Sequence, residues 1–184
     1  MGFDLSGLNP NLVRPEPELP PMVDRTSKHW EIYTEWEKEN CGVHFRNSSW
    51  GWRPLWGFVT GCCDDILTEK DIKNGTHNGG QEISKTKASR MAKRLFSLIK
   101  KGQVEAYEEI YIAHLNSLEQ VDCDICDATG KRQEPPKIGA GDMKCNGCSG
   151  TGKRDHRAKS YPFSEDNVRQ FANFCANSGG FRIC

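Results

Sequence analysis

The sequence predicts a mainly helical α+β fold, in which a small helical domain with minor strands carries a cysteine-rich loop insertion. Three observations lead to this prediction: an apolar stripe at helical spacing in residues 84–101, further helix-like segments on both sides of it, and two Cys-x-x-Cys pairs within residues 121–155. The chain has 184 residues and a hydrophobic fraction of 36%, which is enough for one core. We therefore expect residues 1–184 to form a single domain, with residues 121–155 as an insertion within it.

The N-terminal part begins with an irregular arm. Residues 9–24 contain five prolines, which exclude a helix or a central strand. We expect this arm to lie over the domain. The first helix is predicted at residues 27–40, where Trp30, Tyr33 and Trp36 share one side.

The middle of the chain alternates short extended and helical segments. Residues 43–45 are a short extended piece, and Pro54 suits the first turn of a helix that runs to about Leu67. A clear amphipathic helix follows at residues 84–101 and ends at Gly102. Its apolar stripe consists of Ala88, Met91, Ala92, Leu95, Leu98 and Ile99.

Two more helices are predicted in the remaining sequence. Residues 104–118 should pair with the helix at residues 84–101 as an antiparallel hairpin. The last helix spans residues 164–177, where Ser164 can cap the N-terminus and acidic residues occupy the first turn. Residues 181–184 are a candidate for a short strand.

The Cys-x-x-Cys pairs carry the clearest chemistry of the chain. Eighteen residues separate Cys123 and Cys126 from Cys145 and Cys148. Four thiolates at one point form the closed tetrahedral site that Zn2+ prefers in structural roles. We therefore predict a zinc-stapled loop with one structural Zn2+, bound by these four cysteines and required for local folding.

The glycines that follow each pair support this prediction, because tight turns after the second cysteine need residues that tolerate a positive φ. The second copy reads C-x-x-C-x-G-x-G, whereas the first has Ala128 in place of the first glycine. Residues 123–153 thus resemble the cysteine-rich zinc region of DnaJ-type chaperones. That region has four such repeats and two zinc ions, so two repeats imply one zinc ion at most. The chain has no His-Pro-Asp tripeptide, so the resemblance does not extend to chaperone activity.

The other five cysteines, Cys41, Cys62, Cys63, Cys175 and Cys184, are expected to be free thiols in a reducing compartment. The adjacent pair Cys62–Cys63 looks poorly placed for a mutual disulfide. No apolar run approaches the roughly 18 residues of a membrane helix, and the first ten residues do not resemble a signal peptide. We therefore expect a cytoplasmic protein without a membrane partner.

Charge is balanced overall but segregated along the chain. Lys and Arg total 25, as do Asp and Glu, which argues against a general nucleic-acid coating protein. Residues 84–101, however, contain seven bases and no acid, and residues 103–127 contain seven acids and no base. The basic helix at residues 84–101 therefore makes nucleic-acid binding an alternative function. A second copy of the chain, docked through its acidic face, is a further candidate partner. Basic residues flanking the zinc site would add to a nucleic-acid surface: Lys144, Lys153, Arg154 and Arg157.

A Trp–Arg segment at residues 50–56 is the second unusual feature. Three Trp side chains surround Arg53 there, which suits a site where an arginine clamps an anion and a tryptophan stacks a flat ring. The alternative is that these tryptophans form the core. The predicted ligand contacts are Arg46, Asn47, Trp50, Trp52, Arg53 and Trp56. The five histidines form no catalytic motif, so the sequence favours a protein that is not an enzyme.

A second resemblance extends over most of the chain. It rests on Met1-Gly-Phe-Asp-Leu-Ser-Gly7, Phe45-Arg-Asn47, Trp52-Arg-Pro-Leu55, Tyr161-Pro-Phe-Ser164, Asn167-Val168 and Gly179-Gly-Phe181. These segments are similar to those of a family of small bacteriophage-encoded proteins. The resemblance implies phage origin and action in the cytoplasm of a bacterial host. A phage accessory protein of this kind is expected to bind and neutralise a host component, either a small anionic signal such as a nucleotide or a host protein, including a defence component.

Overall fold

The computed structural model describes residues 2–184, so Met1, which opens the segments shared with phage proteins, lies outside it. The helices are α1 (Ser27–Glu39), α2 (Ser49–Cys62), α3 (Glu69–Asn74), α4 (Lys85–Lys100), α5 (Gln103–Ser117) and α6 (Glu165–Asn177). The strands are β1 (Gly2–Gly7), β2 (His44–Ser48), β3 (Gln81–Ser84), β4 (Val121–Asp122), β5 (Lys131–Arg132), β6 (Met143–Lys144), β7 (Lys153–Arg154) and β8 (Gly180–Ile183). Short 3-10 helices occupy Met22–Asp24 and Arg157–Ser160.

The chain divides into two compact units. The first unit comprises the chain up to Glu109 together with Phe163–Cys184, and the second comprises Ile110–Pro162. The predicted insertion at residues 121–155 falls within the second unit.

The first unit is built on a four-stranded antiparallel sheet in the order β2–β1–β8–β3. Alternate residues of the strands point to opposite faces. Phe3 and Leu5 of β1 are buried, whereas Asp4 lies opposite Arg46 of β2 on the other face. On that same outer face, Arg182 of β8 binds Glu82 of β3. The sheet therefore has one apolar face and one charged face.

Helices cover the apolar face of the sheet. α4 packs chiefly on α6 and also contacts β8 and β3, and α2 contacts β1 and β2. Phe171 of α6 lies at the centre, with ring contacts to Trp52, Phe45 and Phe181. The core is thus a layer of aromatic and aliphatic side chains between three helices and the sheet.

The mixed α+β class is confirmed, but the prediction of a mainly helical chain holds only in part. The chain is 46% helix and 15% strand. The C-terminal strand was predicted, and residues 43–45 were predicted to be extended. β1 and β3 were not predicted, because each becomes a strand only by pairing with segments that lie far away in sequence, β1 with β2 and β8, and β3 with β8.

Three details of the predicted helices are wrong, and one is that α2 ends at Cys62 rather than at about Leu67. α2 begins at Ser49 rather than Pro54, because the Ser48 hydroxyl accepts a hydrogen bond from the Gly51 N–H at 3.1 Å and starts the helix earlier. Pro54 therefore lies inside the helix, where it has no N–H to donate to the Trp50 carbonyl. In addition, the principal partner of α4 is α6 and not α5, so the predicted hairpin of α4 and α5 is not the main packing contact of α4.

The proline-rich arm lies on the first unit, as predicted. The Val13 N–H donates to the side-chain oxygen of Asn40 at 2.7 Å, and the Trp36 indole donates to the Arg14 carbonyl at 3.1 Å. The Asn11 N–H donates to the Asn177 carbonyl at 2.8 Å. These bonds fix the arm, which is irregular apart from the short 3-10 helix at Met22–Asp24. None of the helices in residues 2–184 combines the length and the apolar composition that a membrane crossing requires.

Candidate metal centre and binding groove

The four cysteines of the Cys-x-x-Cys pairs meet at one point in the second unit. Cys123, Cys126 and Cys145 are fully buried, and Cys148 is 7% exposed. The Sγ atoms of Cys123 and Cys145 are 3.9 Å apart, those of Cys126 and Cys148 are 3.7 Å apart, and all four lie within 4.8 Å of one another. Four sulfurs bound to a tetrahedral Zn2+ at about 2.3 Å are about 3.8 Å apart. The cluster can therefore hold one metal ion, and four sulfur ligands would leave no position open for a substrate.

The two Cys-x-x-Cys knuckles exchange equivalent hydrogen bonds, so the centre has an internal two-fold arrangement. The Cys123 N–H donates to the Gly152 carbonyl at 2.9 Å, and the Cys145 N–H donates to the Gly130 carbonyl at 2.9 Å. In the same way β4, before the first knuckle, pairs with β7, after the second, and β5 pairs with β6. Each knuckle therefore needs the other to complete its backbone hydrogen bonds.

The glycines of the knuckles are required by close contact as well as by conformation. Gly130 and Gly152 have φ values of 75° and 76°. A Cβ atom at Gly152 would lie 2.1 Å from the Ala128 carbonyl oxygen, and one at Gly130 would lie 2.3 Å from that of Gly150. Ala128 occupies the position of Gly150 in the other knuckle and adopts a φ of 60°. The first knuckle thus keeps the turn at the steric cost of an alanine in the left-handed region.

A backbone N–H group of the second knuckle turns toward sulfur. The Gly152 N–H donates to the Cys148 Sγ at 3.2 Å. Burial would raise the pKa of Cys148, but hydrogen bonds from the N–H groups of Gly152 and Gly150 and from the thiols of Cys145 and Cys126 together lower this pKa to about 6. Burial raises the pKa of Cys126 to about 12. A bound cation is what would allow such buried thiols to ionise together.

The Trp–Arg segment forms part of α2, and two of its tryptophans belong to the core. Trp52 is fully buried, and its indole donates to the Gly75 carbonyl at 2.9 Å. Its ring stacks on Phe3 and on Trp56, each at a centroid distance of 5.2 Å. Trp56 is 2% exposed and donates to the Ile72 carbonyl at 3.1 Å. Neither ring therefore offers a free face on which a ligand ring could stack.

Arg53 lies on the exposed side of α2, beside a groove of about 420 Å³. This volume is in the range of small-molecule sites. The groove is lined by Trp52, Arg53, Trp56, Gly57, Thr60, Ile72, Thr76 and His77. A guanidinium thus lies beside an imidazole, two hydroxyls and an apolar surface, and the guanidinium is the group that suits an anionic ligand.

His77 is oriented by its neighbours in the turn after α3. The Thr76 hydroxyl donates to the Lys73 carbonyl at 2.6 Å, and His77 Nδ1 lies 2.8 Å from that hydroxyl oxygen and 3.3 Å from the same carbonyl. Because the hydroxyl has given its hydrogen to Lys73, Nδ1 must be the donor to both oxygens. Nε2 is then the ring nitrogen that these bonds leave for a ligand.

The other three predicted ligand contacts do not line this groove. Arg46, on β2, is exposed and lies 3.5 Å from Asp4, in a separate depression. Asn47 donates to the side-chain oxygen of Asn167 at 2.9 Å and thereby links β2 to α6. Trp50, in the first turn of α2, is 44% exposed. The structure thus brings together only Trp52, Arg53 and Trp56 of the six predicted residues.

Sequence reasoning missed the remaining groove residues. Gly57 and Thr60 lie four and seven positions after Arg53, so helical periodicity would have found them if α2 had been predicted to start at Ser49. His77 comes from a turn that approaches α2 only in the folded chain.

No family model, no curated protein and no solved structure matches this chain.

The predicted basic surface is partly neutralised. Arg90 and Arg94 both contact Asp65, at 3.6 and 3.0 Å, and the hydrogen bond from Arg94 lowers the pKa of that carboxyl group. Lys87 pairs with Asp71, which is nearly buried. At the metal centre, Lys153 and Arg154 likewise pair with acidic residues, Asp122 and Asp124. Besides Arg90, the exposed cations of α4 are Lys85, Lys93 and Lys100, and Lys101 follows directly after the helix.

Proposed function

We propose that this chain is a non-enzymatic, zinc-stabilised binding protein that captures a small phosphorylated ligand in the groove beside Arg53. The sequence resemblance to phage proteins supports a phage accessory role, in which the protein neutralises a nucleotide-like host signal in the bacterial cytoplasm. The observation that carries the proposal is the exposed Arg53 at the edge of a groove that also contains His77 and two hydroxyl groups.

The donor set favours Zn2+ as the metal. Four buried thiolates in a tetrahedral arrangement select zinc or iron over hard cations, and the closed sulfur shell suits a structural ion. Zinc would hold together a unit that has little apolar core of its own. Among the residues that the structure describes, Ile125 is the partly buried hydrophobic side chain that packs against the four cysteines. The metal thus acts on folding, and the binding chemistry falls to the groove.

The groove favours an anion held by hydrogen bonds over a stacked ring. Trp52 and Trp56 are almost completely covered, so the stacking expected from the sequence has little support, and the partly exposed apolar side chain of the groove is Ile72. Arg53 can form charge-assisted hydrogen bonds with a phosphate. With the ring hydrogen on Nδ1, His77 Nε2 can accept a hydrogen bond from an N–H or O–H group elsewhere on the same ligand. The hydroxyls of Thr60 and Thr76 donate to the backbone carbonyls of Gly57 and Lys73, so the phosphate depends chiefly on Arg53. A phosphate ester that leaves its organic part on the apolar surface would use both kinds of surface.

The experiment starts from protein purified from bacterial cells. The protein is denatured, and any released small molecule is identified by mass spectrometry; nucleotides are then titrated into ligand-free protein by calorimetry. Arg53→Ala should weaken binding by about tenfold or more, because a charge-assisted hydrogen bond contributes about 1.5–3 kcal/mol. Arg169→Ala is the matched control, since Arg169 is also an exposed helical arginine and pairs with Glu165 of its own helix.

Three results would contradict the proposal. These are the absence of any ligand, ligand affinity that is equal in Arg53→Ala and wild type, or loss of affinity together with loss of folding in Arg53→Ala. Nucleic-acid binding that weakens steeply with salt and survives Arg53→Ala would favour the alternative instead. That alternative is supported by the shallow groove on α4, which Arg90, Lys93, Arg94 and Lys101 line.

A further inference from the structure

Two adjacent thiols face each other at the end of α2. The sequence alone disfavoured a link between Cys62 and Cys63, but their Sγ atoms lie 3.9 Å apart. Cys62 is the last residue of α2 and is partly exposed, whereas Cys63 follows the helix with φ −126° and ψ 26° and is fully buried. The two side chains therefore lie on the same side of the backbone at the point where the helix geometry ends.

The surroundings of the pair resemble those of reactive cysteines, which are partly exposed and lie near positive charge. Arg94 donates from Nη1 to the Cys62 carbonyl at 2.7 Å and from Nη2 to Asp65 at 3.0 Å. The acidic groups nearby are Asp64 and Asp65, and Asp65 is held by Arg94. The hydrogen bond from Cys63 is the largest influence that lowers the pKa of Cys62, and Arg94 adds to it.

We propose that Cys62 and Cys63 form a thiol–disulfide exchange site for low-molecular-weight disulfides such as glutathione disulfide. In the first step, the Cys62 thiolate attacks one sulfur of the disulfide, forms a mixed disulfide and releases one thiolate. In the second step, the Cys63 thiol loses its proton to solvent and attacks the Cys62 sulfur, which forms the Cys62–Cys63 disulfide and releases the second thiolate. The pair loses two electrons and two protons, and the small disulfide gains two electrons.

The order of the two steps follows from the hydrogen bond between the thiols. The pKa of Cys63 is raised chiefly by its hydrogen bond to Cys62, then by burial and by the negative charge of Cys62. Once Cys62 is in the mixed disulfide, that hydrogen bond and that charge no longer raise the pKa of Cys63, whereas burial and Cys175 still raise it and Arg94 still lowers it. Cys63 is therefore protonated while Cys62 is free and becomes easier to ionise after the first step. A disulfide between neighbours is also strained, since consecutive Cα atoms are about 3.8 Å apart, so the product should be easily reduced.

The test uses zinc-loaded full-length protein exposed to glutathione disulfide at pH 7.5. Free thiols are then alkylated, and tryptic peptides are measured under non-reducing conditions. The peptide of residues 47–70 contains Cys62 and Cys63 and no other cysteine, so it reports on this pair without interference from the metal centre. In wild type we expect this peptide to lose two hydrogens, to carry no alkyl group and to regain both thiols with dithiothreitol.

Variants separate the two steps. Cys63→Ser should stop at a mixed disulfide on Cys62 that carries one glutathionyl group, and Cys62→Ser should leave Cys63 unmodified. The pH dependence of the alkylation rate of Cys62 provides a second measurement, which a change in packing alone would not alter. In Cys63→Ala this rate profile should shift to higher pH, because the hydrogen-bond donor is lost. Cys63→Ser retains a hydroxyl donor, so the shift should be smaller.

Any of four results would overturn the proposal. These are two alkylated thiols in the peptide after treatment, a wild-type reaction that stops at the mixed disulfide, a Cys62 thiol that reacts no faster than the exposed Cys184, or equal pH shifts in Cys63→Ala and Cys63→Ser. Zinc content and urea unfolding of each variant establish that the fold and the metal centre are intact.

Discussion

Replacing Trp52 by alanine tests whether the Trp–Arg segment is primarily part of the core. Trp52 is fully buried between Phe3 and Trp56 and contacts Phe171 edge-on. Its indole also satisfies the Gly75 carbonyl at 2.9 Å. Trp50, two positions earlier in the same helix, is 44% exposed and offers a matched control of identical chemistry.

The expected penalty can be worked out from the buried surface. A tryptophan buries about 150–250 Å² of surface, which at about 25 cal/mol per Å² corresponds to about 4–6 kcal/mol. Large-to-small substitutions of buried tryptophans cost about 3–5 kcal/mol, and an unsatisfied buried carbonyl adds about 1–3 kcal/mol. We therefore expect Trp52→Ala to lower the free energy of unfolding by about 4–6 kcal/mol, and Trp50→Ala by less than about 2 kcal/mol.

Urea unfolding followed by far-UV circular dichroism at pH 7, with zinc present, measures both penalties. Trp52→Phe retains most of the buried area but loses the N–H donor, so it should cost about 1–3 kcal/mol and provides a value if Trp52→Ala does not fold. A penalty for Trp52→Ala within about 1 kcal/mol of that for Trp50→Ala would refute the core assignment, because such a small difference is incompatible with complete burial.

Two further predictions concern the metal centre and the buried ion pair. Cys123→Ser should reduce bound zinc from one ion per chain to well under one, as measured by elemental analysis. Hydrogen exchange should accelerate in residues 121–155 but not in α4. An unchanged zinc content would contradict the assignment of Cys123 as a zinc ligand. Burial would raise the pKa of Asp71, but hydrogen bonds from Lys87 and Thr68 lower it, so its stabilising effect is present above pH about 4 and is lost as the pH falls through the lowered value. Lys87→Met should therefore cost on the order of 3 kcal/mol at pH 7 and clearly less at pH 3 in urea unfolding, whereas an equal penalty at both pH values would show that the charge of Asp71 is not responsible.

Local signals in the sequence were sufficient for the parts of the fold that depend on neighbours in the chain. The α4 stripe from Ala88 to Ile99 and the Ser164 cap of α6 are repeated or capping patterns, and both correspond to the observed elements. The sheet depends instead on pairing between β1, β3 and β8, which come from three distant parts of the chain. A short alternation such as Phe3–Asp4–Leu5 becomes a strand only when those partners are present.

The candidate sites differ in the same way. The metal centre could be predicted because each cysteine pair forms its own turn, and the two turns are similar. The groove could be predicted only in part, because Arg53 is marked by its unusual position between tryptophans, whereas His77 and Thr76 reach α2 from another turn. The exchange pair required side-chain geometry, since adjacency of Cys62 and Cys63 does not reveal that their sulfurs face each other.

α2 serves both the core and the groove, which determines how its variants must be interpreted. Leu55 and Val59 are buried in the first unit, whereas Arg53 and Thr60 lie at the groove. A ligand site carried by a helix that is anchored by Trp52 is held more rigidly than one on a loop. Loss of binding in Trp52→Ala would therefore report loss of the scaffold, because the indole is buried and is not a polar contact of the ligand. Only a variant such as Arg53→Ala, which removes an exposed charge and leaves the anchoring side unchanged, can separate binding from folding.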